Sequence, residues 1–510
     1  MSLNVTSDRL GKKQEAAADS DNPIVCGSLA RAIWQMSWPL LAAYVLSSLI
    51  GLVDAYLAGF IGDAAQAAVG IGEQAIFLMA MLGTGLAIGT VACVSRSFGA
   101  GDLALARAYS RDSLVFSSLV GLFATVVGVL LARPVFAILG AAPVVTALGA
   151  RYLELVSLAN LPFVVAMCMT AIFRAVGAPR YALGMWLAMS SVSIGGSLLL
   201  FFGFIPGGRH SLDALCLSWL AGATVGVALG LVLLRRFWMR APGAHRPALA
   251  FGQALVRVSE LLGIGLPAVI AEVVWTSSNF LTYRIFAGMA HASQAQAAWS
   301  VALKVEETFA AMPLVALSMA AATIVGQNLG AGQPARARAS GWQITAGASV
   351  AMILVGLVLM VFAIPLASTF SSDPLVVEYT ATLLKSAPLT VPLLAVWLIL
   401  FGAMEGAACT WTPMVCQVAV LIGLRLPLYW LLAISLQLGL PGIAGALLVS
   451  RAVIALVAVG VYRRGFVEAA PSAGACLQLL RRLAGVPRPA CYNSGTRGYS
   501  SVGRAHGSHP

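Results

Sequence analysis

Between Trp38 and Tyr462, apolar runs follow one another with only short polar breaks. Each run is roughly 20 residues, long enough as a helix to cross about 30 Å of hydrocarbon. Backbone groups find no water inside a bilayer, so helices are the expected structure of these runs. Twelve are legible, near 37–60, 70–94, 113–132, 153–172, 183–203, 213–234, 261–287, 298–325, 344–367, 386–408, 414–437 and 442–462. Charged residues make up only 10% of the chain, against about a quarter in soluble domains, which agrees with a chain that lives in a bilayer.

The runs are duplicated. Phe98-Gly99-Ala100-Gly101-Asp102, leading to Ala106-Arg107-Ala108, returns 231 residues later as Leu329-Gly330-Ala331-Gly332-Gln333, leading to Ala337-Arg338-Ala339. Ala58-Gly59 meets Ala287-Gly288 at an offset of 229, and Pro39 meets Pro267 at 228. Repeats of membrane helices are a signature of transporters. The expected fold is an all-α membrane protein of twelve transmembrane helices in two six-helix bundles related by this repeat.

Arginine and lysine set the expected orientation, because cytoplasmic loops carry the excess. The even-to-odd connections hold twelve such residues, from Arg96, Arg107 and Arg111 to Arg336 and Arg338, and the opposite connections hold six. Both termini are therefore expected in the cytoplasm, which means an inner membrane in a Gram-negative cell. The net charge of +12 then reads as cytoplasmic charge beside anionic lipid, with no nucleic-acid partner. The division is a cytosolic tail (1–33), a first bundle (34–235), a basic linker (236–260), a second bundle (261–466) and a tail without core-forming potential (467–510). Tyr499 to His506 read like a frame carried through a tRNA gene, so residues 487–510 are expected to lie outside the functional protein.

Glycines four apart, at Gly85 and Gly89 and at Gly222, Gly226 and Gly230, are expected to let helices approach closely. Pro162, Pro313, Pro388, Pro392 and Pro427 stand inside runs and invite kinks. Eight cysteines form no C-x-x-C pair, and the five histidines are scattered in connections and tail. No metal site, cofactor or enzymatic pair is expected, and no Walker A motif supplies ATP chemistry.

Several motifs together resemble the multidrug and toxic compound extrusion (MATE) family, most like its bacterial DNA-damage-inducible branch. They are Pro39 with Val53-Asp54-Ala55, Phe173-Arg174-Ala175-Val176-Gly177, Gly265-Leu266-Pro267, Met312-Pro313 before Val325-Gly326-Gln327-Asn328-Leu329-Gly330-Ala331-Gly332, and Arg425-Leu426-Pro427-Leu428. The resemblance covers roughly residues 34–466. It implies a monomeric secondary exporter of amphipathic, often cationic, small molecules, driven by inward H⁺ or Na⁺ through alternating access.

A carboxylate inside a span costs about 2.5–3.5 kcal/mol on insertion scales, so it is a functional candidate by default. Asp54 matches the family's essential Asp and is expected to couple H⁺ or Na⁺. The family's partners on the fifth helix correspond here to Ser193 and Ser197. Glu272 lies five residues past Pro267, one turn before Trp275, where Na⁺-driven relatives carry a Glu. Glu405 stands where the repeat would place a second Arg174, one turn from Cys409, the counterpart of a family Asp. The pair could form a cation site in the second bundle. Glu306, Glu307, Trp275 and Met312 are candidate cavity-lining residues, with ion pairing of the two glutamates to Lys304 as the simpler expectation. Arg425 is expected to hold carbonyls or a carboxylate. The alternative is a flippase of the same superfamily for lipid-linked precursors, which would need several arginines in its cavity. The spans read as holding almost none.

Overall fold

The computed structural model of the chain describes residues 22–138, 143–204, 211–240, 251–289 and 291–464. The expectations for both tails and for the middle of the linker lie outside them. Eleven described helices are long and apolar enough to cross a membrane, and a pair bent by 47° completes a twelfth span. In chain order, spans 1 to 6 are Leu29–Ile61, Asp63–Gly99, Leu103–Ile138, the pair Pro143–Ser157 with Asn160–Ala175, Pro179–Phe201 and Leu212–Arg240. Spans 7 to 12 are Phe251–Phe286, Ala292–Gly330, Pro334–Val361, Ala387–Gly406, Trp411–Ser435 and Gly439–Arg463. Helices Ala363–Phe370 and Pro374–Lys385 lead from span 9 to span 10.

Several helices outrun their apolar runs. Span 2 begins at Asp63 and span 7 at Phe251, because the helical hydrogen-bond ladder continues past the edge of the hydrocarbon. The prolines act locally. Pro162 has no N–H for the Leu158 carbonyl, and span 4 bends there. Pro313 follows a π-helical segment, Glu307–Ala311, and Pro427 lies between two more, Val418–Arg425 and Trp430–Ser435.

Both repeated turns have the same hydrogen bonds. Ala100 N–H donates to the Arg96 carbonyl, Gly101 N–H to Phe98 and Asp102 N–H to Ser97, and Ala331, Gly332 and Gln333 repeat this on Gln327, Leu329 and Asn328. Gly101 and Gly332 take φ of +74° and +73°, the left-handed conformation that a Cβ disfavours. The first glycine of each turn serves a different purpose. A Cβ on Gly99 would overlap the Gln327 carbonyl of span 8, and one on Gly330 would overlap the Arg96 carbonyl of span 2. The two turns thus pack reciprocally across the boundary between the halves.

Each half has its own apolar core. Leu57, Phe136, Tyr152 and Phe201 are buried together in the first half, as are Met169, Phe173 and Met185; Trp397, Leu400 and Ile454 mark the second. Span 1 divides its loyalty: Met36 and Leu40 pack with the second half, Leu57 and Ala58 with the first. The expected close packing of glycines is present within the first half, where a Cβ on Gly222 would lie 2.7 Å from the Met189 carbonyl. It is present between the halves as well, since Gly85 and Gly89 of span 2 face the backbone of Gly265 and Leu261 in span 7.

The side-chain contacts described between the halves gather toward the end that carries the two turns. Gln327 donates to the Ala175 carbonyl at 2.7 Å and accepts from Asn22 at 3.1 Å. Asp112 of span 3 pairs with Arg257 of span 7 at 2.6 Å, with Arg111 on its other oxygen at 2.8 Å, and Tyr109 donates to Glu260. The Asp112 pair is nearly buried, with 5% and 11% of the two side chains exposed. This form is closed at the turn-bearing end.

Gly99→Ala and Gly330→Ala should each disfavour the closed end, because the obstructing atom is backbone and cannot swing aside. Overpacking of this kind costs about 1–3 kcal/mol. Spin labels on spans 2 and 8 near the turns should report a longer distance in either variant, and an unchanged distance would refute the role of the seam.

Candidate functional site

Where the halves meet, the seam carries a cluster of polar and aromatic side chains from five spans. Tyr44 of span 1 donates to the Met319 sulfur of span 8 at 3.6 Å, and the Arg174 guanidinium at the foot of span 4 contacts the same sulfur. Tyr44 lies within electrostatic reach of both Arg174 and Glu272, and Glu272 within reach of Glu405. Spans 7 and 10 thus place Glu272 and Glu405 within electrostatic reach of each other. Glu272 is exposed on span 7. Glu405 is half-buried.

Trp275 stands one turn after Glu272, its ring 5.5 Å from that of Trp397 and 5.8 Å below the Arg425 guanidinium. It is a stacked element of the second half's face and is half-buried. The position of Glu405 is set by an unusual turn. Ala408 takes φ +60° and donates its N–H to the Glu405 carbonyl at 2.8 Å. In the first half the equivalent residue is Gly177, at φ +79°, donating to Arg174 at 2.9 Å. The repeat thus places Arg174 and Glu405 equivalently, one cation and one anion.

Asp54 is elsewhere. It lies ten residues beyond Tyr44 on span 1, about 15 Å along the helix, half-buried and within electrostatic reach of Cys216 in span 6. Arg151 and Asp213, paired at 3.4 Å, share that neighbourhood. Phe60 and Phe201 touch ring to ring at 6.4 Å, which aligns the parallel spans 1 and 5. Counting back about 1.5 Å per residue puts Asp54 level with the stretch from Ser193 to Ser197. Both serines are buried; the Ser197 hydroxyl has no protein partner among the described residues, while Ser193 packs on Gly222 of span 6.

Glu306 and Glu307, adjacent in sequence, part company. Glu307 pairs with Lys304 at 3.5 Å on the exposed side. Glu306 turns inward and takes both terminal nitrogens of Arg451 in span 12, one at 3.0 Å. The expected Lys304 pairing therefore holds for Glu307 alone, because adjacent side chains on a helix point about 100° apart and only Glu307, three residues on, shares the face of Lys304. Met312, just past that segment, is half-buried. Arg425 donates to the Ser450 hydroxyl at 3.3 Å rather than to a carbonyl or carboxylate. The reading that spans hold almost no arginine is also corrected: Arg174, Arg425 and Arg451 are all buried within helices. Sequence reasoning missed Tyr44 and Arg451, and singled out Met319 only as one of several Met and aromatic residues that could offer an adaptable surface. Only Arg174 carried a signal, as the repeat partner of Glu405. No group of His, Cys, Asp or Glu among the described residues could hold a metal ion.

A duplicated bundle of twelve apolar spans, with charged and aromatic side chains where its halves meet, has the architecture of a membrane transporter. The sequence pattern of the MatE family matches residues 39–206 and 267–431, one match in each half, so the chain belongs to the MATE family of secondary transporters and is not an enzyme. A curated relative, the FAD transporter of Shewanella oneidensis, is 24% identical over 79% of this chain and 88% of its own. The multidrug resistance protein PmpM of Pseudomonas aeruginosa is 26% identical over 78% and 82%. The crystal structure of the Vibrio cholerae MATE transporter VcmN in the bent form superposes with a TM-score of 0.76 at 22% identity, covering 86% of this chain and 97% of that one, which bears on the fold.

Ala408→Gly should relieve the left-handed strain beside Glu405. A single residue there costs about 1–2 kcal/mol when it carries a Cβ, so the variant should melt a few degrees higher in detergent. A lower melting temperature would show that the Ala408 methyl group contributes more by packing than it costs in strain.

Proposed function

We propose that the protein is a multidrug exporter that moves amphipathic, cationic compounds outward in exchange for H⁺ or Na⁺. The observation that carries this reading is the pair Glu272 and Glu405 beside Trp275 at the seam between the halves. Two carboxylates on helices from one half attract a cation, and aromatic and thioether surface beside them accepts varied apolar bodies. The relatives described as multidrug resistance proteins point the same way. Glu306, Glu307 and Met312 are secondary to this cleft in our reading.

Asp54 is the coupling carboxylate of the first half, with the Ser197 hydroxyl level with it and Ser193 holding spans 5 and 6 together. Inward H⁺ or Na⁺ at Asp54 would release the form closed at the turn-bearing end. With the excess of arginine on that side, both termini face the cytoplasm and the cleft of this form opens outward. The motifs at Val325–Gly332 and Arg425–Leu428 favour the DNA-damage-inducible branch, and the chain acts as a monomer. One observation favours a second reading. Arg174 reaches the same cleft, and a relative is described as an FAD transporter, so an anionic nucleotide or a lipid-linked phosphate would find one cation there against two carboxylates.

Everted vesicles given a cationic dye from outside, with Na⁺ or H⁺ separately concentrated in the lumen, decide between these, because export from the cytoplasmic face reads there as uptake. Dye transport under one gradient supports the exporter, and its absence under both with flavin nucleotide transport supports the second reading. Asp54→Asn should abolish gradient-driven transport at normal expression, because the amide keeps the size but neither carries a proton nor holds a cation by net charge. Wild-type transport by that variant would remove Asp54 from the mechanism.

Glu272→Gln and Glu405→Gln should each weaken ion dependence, and the double variant should do little more than either, as expected for two groups that act on one cation. If both single variants keep the wild-type response to Na⁺ and H⁺, the second half has no coupling site.

A further inference from the structure

Inside the second half lies a polar cluster whose Glu306–Arg451 pair the transport reading leaves secondary. Glu306 takes both terminal nitrogens of Arg451, and Arg425 and Tyr429 lie within electrostatic reach of that pair. Trp299 packs edge-on to Tyr429 with ring centroids 6.1 Å apart. All but Glu306 are almost wholly buried: Arg425 and Arg451 are 3% exposed, Trp299 4% and Tyr429 0%.

Two guanidinium groups face one carboxylate, which leaves a surplus positive charge inside a membrane bundle, where an unbalanced charge is expensive. Hydrogen-bond donors are also in surplus. Among the described residues, Arg425 Nη2, Arg451 Nε, Tyr429 O–H and Trp299 Nε1 are buried without a protein partner. Trp299, Glu306, Arg451 and Thr390 line a cavity of about 20 Å³, otherwise walled by aliphatic side chains. That volume holds one water-sized occupant, far below the roughly 300 Å³ of a drug pocket. Three π-helical segments adjoin the cluster, ending or beginning at Glu307, Arg425 and Trp430, and such windings are frequent at functional sites.

We propose that this cavity is a halide site, in which a chloride ion bound beside Trp299 and Arg451 offsets the unpaired guanidinium charge of the second half. A monatomic anion matches the volume, the sign of the surplus charge and the two unpartnered donors that line the cavity, Trp299 Nε1 and Arg451 Nε; a polyatomic anion does not fit. Neither Glu272 nor Glu405 lines the cavity, and the inference does not rest on the proposed drug or coupling ion.

The test uses the purified full chain in detergent. Melting temperature is measured against sodium chloride or bromide, with gluconate holding sodium and ionic strength constant, and crystals grown in bromide are examined for anomalous density. A saturable, halide-specific rise and one bromide peak in the cavity are expected. Trp299→Phe, which keeps the ring and loses the N–H, should weaken the halide midpoint by about tenfold, as expected for a hydrogen bond to a charged group. Arg425→Gln should weaken it further by removing the surplus charge, and Glu306→Gln should tighten it by adding to that surplus. Where either charge variant fails to fold, the wild type and Trp299→Phe decide. Equal melting in gluconate and halide, an empty cavity in bromide crystals, or the same midpoint in Trp299→Phe as in wild type would overturn the proposal.

Discussion

The architecture depends on backbone meeting backbone where spans 2 and 8 cross. Gly99 faces the Gln327 carbonyl and Gly330 faces the Arg96 carbonyl, so each half supplies one gap and one filling group. In lipid there is no hydrophobic gain from covering an apolar helix with another, and close contact of small residues supplies the attraction instead. Gly85 and Gly89 extend the same contact along span 7, and the turns after spans 2 and 8 come into register because of it. Asp112 with Arg257, and Tyr109 with Glu260, then join the halves at the same end with polar contacts whose partners belong to different halves. A pair of that kind must break if the halves separate there, whereas the apolar cores of each half can remain intact.

Charge inside the bundle is distributed with a purpose that the cores do not explain. Arg174, Glu272 and Glu405 stand at the seam, Asp54 near the opposite end of span 1, and Glu306 with Arg451 within the second half. The repeat accounts for part of this, since Arg174 and Glu405 occupy equivalent turns with equivalent hydrogen bonds. The opposite signs at the two places break the symmetry. Ala408 shows that the turn geometry was kept even where glycine was lost, with the strain of a left-handed alanine as the consequence.

The sequence by itself determined the number of spans, their duplication and the turns, because these follow from local rules: run length against bilayer thickness, and glycine where φ is positive or backbones touch. It also singled out Asp54, Glu272 and Glu405, since a carboxylate in an apolar run is conspicuous. What only the tertiary structure decided is which of these meet. Glu272 and Glu405 are separated by 133 residues and come within electrostatic reach because spans 7 and 10 meet at Trp275 and Trp397, while Asp54 stays about 15 Å up its helix. Tyr44 and Met319 looked like ordinary packing residues until spans 1 and 8 were brought together. Arg451, one residue in an apolar helix, gained meaning only when packing of spans 8 and 12 brought Glu306 to it. Neighbouring side chains on one helix are fixed by its pitch, but partners on different helices are fixed by how the bundle packs, and that information is not local.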